Sequence, residues 1–291
     1  MLQNKTLWAA GLICFMLSGV RVSSVRPAVP NKSSVVYTQE DSLIFLEKQK
    51  IAAKETSLTA KTMAIAYSFL KTPYVTGTLD VNRTEQLVIN LQALDCWTFV
   101  ENSFALALAN QEQGSFDSYR HHLLQLRYWG GAINGYGSRI HYFTGWVLQA
   151  EKLGFLRNLT QALGGIPFKK KINYITAHPD KYPRLKQPEI YKALDQAERR
   201  ITAHPWYFIP KAHIKKMESQ IQEGDLLLLC SSKTGLDISH EGFAVRQNGR
   251  IHLMHASSLH KKAIISGQPL AEYMAGQRGQ SGIMVLRISN R

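Results

Sequence analysis

The last third of the chain constrains the fold most. Asp225 to Leu229, Gly242 to Arg246, Ile251 to Met254, Ala263 to Ile265 and Ile283 to Ile288 are short apolar runs separated by turn residues. That rhythm predicts an antiparallel sheet, open or curled into a small barrel. Asn248-Gly249, between the second and third runs, is the strongest hairpin signal in the sequence. Strands joined by such a turn run antiparallel, so the start of one lies beside the end of the other. His240, in Asp237-Ile238-Ser239-His240-Glu241-Gly242-Phe243, begins the first strand, and His255, in His252-Leu253-Met254-His255-Ala256-Ser257, ends the second. The hairpin therefore sets two imidazoles side by side.

The amino-terminal half has helical periodicity instead. Apolar residues recur at helical spacing over 39–54 and 58–71, and Pro73 stops the second helix. Leu87 to Leu91 reads as a strand, and Asp95 to Ala109 as a helix through Phe99, Phe104, Ala105 and Leu108. Asp95 is then the N-cap, and Cys96 sits at the positive end of the helix, where a thiolate is favoured. Residues 113–222 carry many Gly, Tyr, Trp and Pro residues. They read as an elaborated region of loops with helices near Tyr119 to Arg127 and over 189–202. The fold class expected is α+β, one domain over 38–291, with a helical half carrying the cysteine packed on a sheet carrying both histidines.

A cysteine at a helix start becomes a catalyst when a base can take its proton and a further group orients that base. Cys96, His240 and His255 supply those three roles. Taken singly, a cysteine is most often a small buried hydrophobe and a histidine is usually structural; the helix start and the paired strand ends make the case jointly. Cys230 closes the apolar run Leu226 to Leu229 and reads as a buried free thiol, with a bond to Cys96 as the rival. The 10 histidines share no spacing with cysteine or carboxylate that resembles a zinc site, so neither metal nor cofactor is expected. Arg139, His141 and Tyr142 form a polar and aromatic cluster in the irregular region and are candidates for substrate contact.

At the amino terminus, Lys5, the apolar run Leu7 to Val20 and the small Ser23 and Ser24 have the pattern of a secretory signal peptide over 1–24, followed by a linker over 25–37. The apolar run falls short of the roughly 20 residues needed to span a bilayer, so an exported, periplasmic protein without stable membrane insertion is expected. The formal net charge of +14 suits an anionic surface. Its lysines and arginines are scattered and form no nucleic-acid motif, so nucleic acid is not the expected partner.

Six segments together resemble a known family: Thr72-Pro73-Tyr74-Val75-Thr76-Gly77-Thr78-Leu79, Leu94-Asp95-Cys96-Trp97-Thr98-Phe99-Val100-Glu101, Arg139-Ile140-His141-Tyr142-Phe143, Glu223-Gly224-Asp225-Leu226, Ser239-His240-Glu241-Gly242 and His255-Ala256-Ser257. In that order they are similar to the N-acetylmuramoyl-L-alanine amidase-like family of bacterial cysteine hydrolases, of the NlpC-type branch of the papain-like superfamily. The resemblance implies a papain-like (NlpC-type) fold and a Cys-His-His triad falling on Cys96, His240 and His255. It also implies that Tyr74 lines the site and supports the reacting group. Peptidoglycan fragments are the implied substrate, cut at the amide between N-acetylmuramic acid and L-alanine. A peptidase acting inside the stem peptide and a catalytically silent wall-binding module are the rivals. Trp97 departs from the small residue expected after the nucleophile, which leaves the local packing open.

Overall fold

The computed structural model describes residues 35–112 and 114–289. The signal-peptide segment and most of the linker expected from the sequence lie outside the described residues. The linker's last residues do not behave as one: Val35–Val36 form strand β1, paired in parallel with β2, Leu87–Val88. Thr38 then caps α1, Gln39–Ala52, in a reciprocal capping box with Asp41.

Three helices make the amino-terminal layer: α1, α2 (Leu58–Ser68) and α3 (Cys96–Glu112). Every residue of α3 from Thr98 to Ala109 is buried. A helix apolar all round belongs inside a core, and α3 occupies that place, against α1, α2, α4 (Phe116–Arg127) and the sheet. Its polar residues are paired there: the Arg127 side chain lies 2.7 Å from Glu101 and donates to Val88 O at 2.5 Å.

The remaining strands are β3 (Leu156–Asn158), β4 (Ile166–Pro167), β5 (Tyr207–Pro210), β6 (Leu226–Ser231), β7 (Ile238–Gln247), β8 (Arg250–Ser257), β9 (Lys262–Ile265) and β10 (Gln280–Ile288). They form one eight-stranded sheet in the order β4-β5-β10-β6-β7-β8-β9, with β3 also on β10. Every described pairing in it is antiparallel, as the turn rhythm predicts. Among the described residues the pairings do not return to their start, so the sheet is open. β6 is buried on both faces: Leu226, Leu228 and Cys230 enter the core under α3, while Leu227 and Leu229 enter a second core with Leu270 and Met274 of α8 (Leu270–Gly276) and Ile214 of α7 (Lys211–Met217).

Residues 113–222 differ from the loop-rich reading. They contain α4, α5 (Phe143–Lys152), α6 (Pro188–Ala203) and α7, and their strands β3, β4 and β5 build one side of the sheet. Helix α5 was hidden by Gly145, a residue that disfavours helices. Its place there is steric: a Cβ would lie 3.0 Å from both Ile201 and Trp129. Among the described residues no helix is long and apolar enough to cross a membrane.

Candidate active site

Asp95 caps α3 as its sequence position predicts. Its Oδ1 accepts from the Thr98 amide at 2.8 Å, and the Thr98 hydroxyl accepts from the Asp95 amide at 2.9 Å. Cys96 is the first helical residue, half-buried. The segment before it is held to the far edge of the sheet, because Leu94 N donates to Pro73 O and Tyr74 N donates to Lys261 O, each at 2.9 Å. Tyr74 thereby comes close enough to Cys96 for the sulfur to help keep its hydroxyl protonated, although burial is the larger cause.

Asn248 and Gly249 both have positive φ, 50° and 78°, and close the hairpin beside the Gln247–Arg250 pair. That matches the turn whose twist suits two antiparallel strands. At its open end His240 Nε2 and His255 Nδ1 are 2.6 Å apart, with their rings perpendicular. The register Phe243↔Met254 makes the two histidines diagonal neighbours rather than a directly opposed pair. Gly242 is what permits the approach: a Cβ there would lie 2.4 Å from Met254 O and 3.0 Å from His255 Cβ.

Alternation along β7 sorts the next residues by face. Phe243 packs edge-on against Phe99 of α3, centroids 5.9 Å apart, and Glu241 shares that face. Its carboxyl comes against the Cys96 thiol. The histidine pair belongs to the other face, with Ala244 and the second core. No hydrogen bond joins Cys96 to His240 in this resting arrangement. Tyr273 of α8 bridges the two settings: its ring centroid is 5.7 Å from that of His255, and its hydroxyl is held protonated by burial and by the Cys96 sulfur.

The thiolate expected at the helix start is not the resting species. Burial, then the Glu241 and Asp95 carboxylates, push the Cys96 thiol well above its ordinary value; the Trp97 amide, which favours the anion, is outweighed. Burial likewise drives Glu241 up to about 8, and drives His240 down to about 4 and His255 down to about 3. At neutral pH the site thus holds a thiol, a carboxylic acid and two neutral imidazoles.

The substrate-contact candidates are engaged elsewhere. Arg139 is buried, paired with Asp80 and 3.5 Å from Glu85, and it donates to Leu79 O. His141 rests its Nε2 against Tyr136 O at 3.0 Å. The Tyr142 hydroxyl donates to Glu198 at 2.6 Å and accepts from the Ile175 amide at 2.7 Å. The described polar contacts of all three are internal to the protein. Trp97 packs edge-on against Phe143, centroids 4.8 Å apart, which accounts for its bulk. Both described cysteines are free, and burial pushes the Cys230 thiol up. No cluster of three or more metal-ligating side chains occurs among the described residues. Glu241 and Tyr273 were missed from sequence. Strand alternation next to His240 could have pointed to Glu241, but nothing local marks Tyr273.

Comparison with known proteins bears on the whole arrangement. An N-acetylmuramoyl-L-alanine amidase from Bacteroides uniformis ATCC 8492 is 30% identical, with TM-score 0.73, over 79% of this chain and 99% of that one. A Bacteroides fragilis protein provisionally named a xylanase is 34% identical, with TM-score 0.72, over 77% and 99%. A Legionella pneumophila protein at 23% identity shares the fold, with TM-score 0.67, over 86% and 94%. No curated protein matches the chain. The family model described as AmiA-like, N-acetylmuramoyl-L-alanine amidase-like, matches residues 64–283. The chain belongs to the N-acetylmuramoyl-L-alanine amidase-like family.

Proposed function

We propose that this protein is a cysteine amidase that hydrolyses the amide between the lactoyl group of N-acetylmuramic acid and L-alanine in peptidoglycan fragments. The observation that carries the reading is the 2.6 Å contact between His240 and His255 at the end of the hairpin, in a sheet packed on the helix that begins at Cys96. A cysteine at a helix start in one layer and paired histidines on the sheet of the other are the parts that the NlpC-type version of the papain-like plan requires. Family membership and the Bacteroides uniformis amidase support the bond chosen.

Burial supports His240 rather than Glu241 as the base. Glu241, driven by burial up to about 8, favours its protonated form at neutral pH. His240 is neutral and can accept a proton. For His240 Nδ1 to be the basic nitrogen, His240 Nε2 must carry the hydrogen and donate it to His255 Nδ1, so His255 fixes the tautomer. The mechanism requires the thiol, which rests against Glu241 on the other face of β7, to reach His240 Nδ1 in the substrate complex. Cys96 attacks the lactoyl carbonyl, and His240 takes the thiol proton and returns it to the leaving alanine nitrogen. Water then cleaves the thioester. The helix-start amides and the protonated Tyr74 hydroxyl are the donors available to the oxyanion.

Digestion of defined muropeptides followed by mass analysis tests this. The expected products are a free N-acetylmuramic sugar and an intact peptide beginning with L-alanine, with turnover lost in Cys96→Ala and His240→Ala. A sugar still bearing L-alanine establishes a stem-peptide peptidase instead, and Cys96→Ala that still releases fragments overturns the cysteine mechanism. Export to the periplasm is part of the proposal and rests on residues 1–24; a mature amino terminus still at Met1 would contradict it.

A further inference from the structure

One hydrogen lies in the 2.6 Å contact between His240 Nε2 and His255 Nδ1, and its owner decides whether His240 can act. Burial drives both imidazoles below their ordinary value, so at neutral pH each carries a single ring hydrogen. If the shared hydrogen belongs to His240 Nε2, His240 Nδ1 is a free base and the hydrogen of His255 sits on Nε2. If it belongs to His255 Nδ1, the hydrogen of His240 sits on Nδ1, which then has no lone pair to take a thiol proton. The choice is made at the far nitrogen of His255, Nε2.

That atom is buried and has no hydrogen-bond partner among the described residues, in a residue 3% exposed as a whole. Besides His240, the aromatic ring in contact with His255 among the described residues is that of Tyr273. The two centroids are 5.7 Å apart and the planes are inclined at 65°, so the edge of one ring meets the face of the other. Tyr273 is firmly placed: its amide donates to Pro269 O at 2.8 Å, and Leu270 and Met274 on either side of it are fully buried in the second core. The face of an aromatic ring is the negative pole of its quadrupole. It attracts an N–H and repels a nitrogen lone pair. An imidazole edge lying against it is therefore stabilised with its hydrogen outward.

We propose that Tyr273 is a positioning residue of the active site, its ring face accepting the Nε2 hydrogen of His255, so that His255 Nδ1 accepts from His240 and His240 Nδ1 stays free as the base. The inference rests on His240 being the base of a cysteine amidase, and it extends the histidine pair by a third member. It also gives the buried Nε2 the partner it otherwise lacks. The Tyr273 hydroxyl has no part in this step.

The test reads nitrogen NMR shifts of the labelled imidazoles in the full chain at pH 7, beside turnover of defined muropeptides. In the unmodified protein and in Tyr273→Phe the hydrogen of His255 is expected on Nε2, with Nδ1 bare. Tyr273→Phe should also keep the kcat of the unmodified protein. In Tyr273→Leu, which removes the ring, part of the population should move that hydrogen to Nδ1. Its kcat should fall about fivefold, the worth of one N–H to ring contact, at unchanged KM. A hydrogen on His255 Nδ1 in the unmodified protein overturns the proposal, as does a folded Tyr273→Leu with either kcat or tautomer unchanged. Tyr273→Phe as slow as Tyr273→Leu also overturns it, because the hydroxyl would then be the working group. Should Tyr273→Leu fail to fold, the shifts of the unmodified protein and of Tyr273→Phe decide. If the unmodified protein cleaves no muropeptide, the amidase reading falls, and the nitrogen shifts still judge the tautomer by themselves.

Discussion

Because Glu241 is driven up to about 8 while His240 is driven down to about 4, both are uncharged at pH 7, for the same reason of burial. Two pH effects follow with opposite signs. The folded-state value of Glu241 lies above its ordinary 4.5, so its favourable contribution is complete below 4.5 and is lost as pH rises through about 8. Urea midpoints should therefore fall for the wild type between pH 5 and pH 8.5 relative to Glu241→Gln, and parallel midpoints would disprove it. His240 lies below its ordinary 6.5, so stability is present above 6.5 and is lost as pH falls toward about 4. The acid limb of kcat/KM should accordingly appear near pH 4; a limb at 6.5 would show His240 exposed and reject its assignment as a buried base. The raised thiol predicts slow alkylation of Cys96 by iodoacetamide at pH 7, accelerating only above pH 9.

At the scale of elements, the hairpin and the α3 start were legible because each rests on local chemistry: two positive-φ residues at Asn248-Gly249 and a capping carboxylate at Asp95. Asp95→Ala should cost about 1 kcal/mol, read as a lowered denaturation midpoint. Gly242→Ala tests the approach of the two histidine strands. Its methyl group would meet Met254 O and His255 Cβ, so kcat/KM should fall at least tenfold as His255 is displaced from His240. Unchanged kcat/KM would show that the spacing of the pair is not critical. What sequence could not reveal depended on partners far away in the chain. Helix α5 is masked in the sequence because Gly145 answers to Ile201 and Trp129 rather than to its own helix, and the ties of Arg139 and Tyr142 run to Asp80, Glu85 and Glu198, far from them in the chain.

The molecule as a whole is organised about α3, whose carboxylate Glu101 is fully buried with Arg127 as its ion-pair partner. Arg127→Met would leave that charge unpaired in the interior, a change expected to cost about 3–5 kcal/mol and measurable as a large loss of thermal stability; a near-neutral effect would show that Glu101 is protonated in the fold. The α+β class was readable from the two periodicities, because helix-spaced and strand-spaced segments occupy separate parts of the chain. The share of the sheet built by β3, β4 and β5 was not, since strands of two to four residues carry too little pattern. The separation of α3 from the β7–β8 hairpin has a consequence for biosynthesis. A chain made from its amino terminus acquires its nucleophile early and its base only near completion, so an unfinished or carboxy-terminally truncated product contains a thiol but no hydrolase. Turnover is then a certificate that synthesis has passed Ser257 and that both layers have docked.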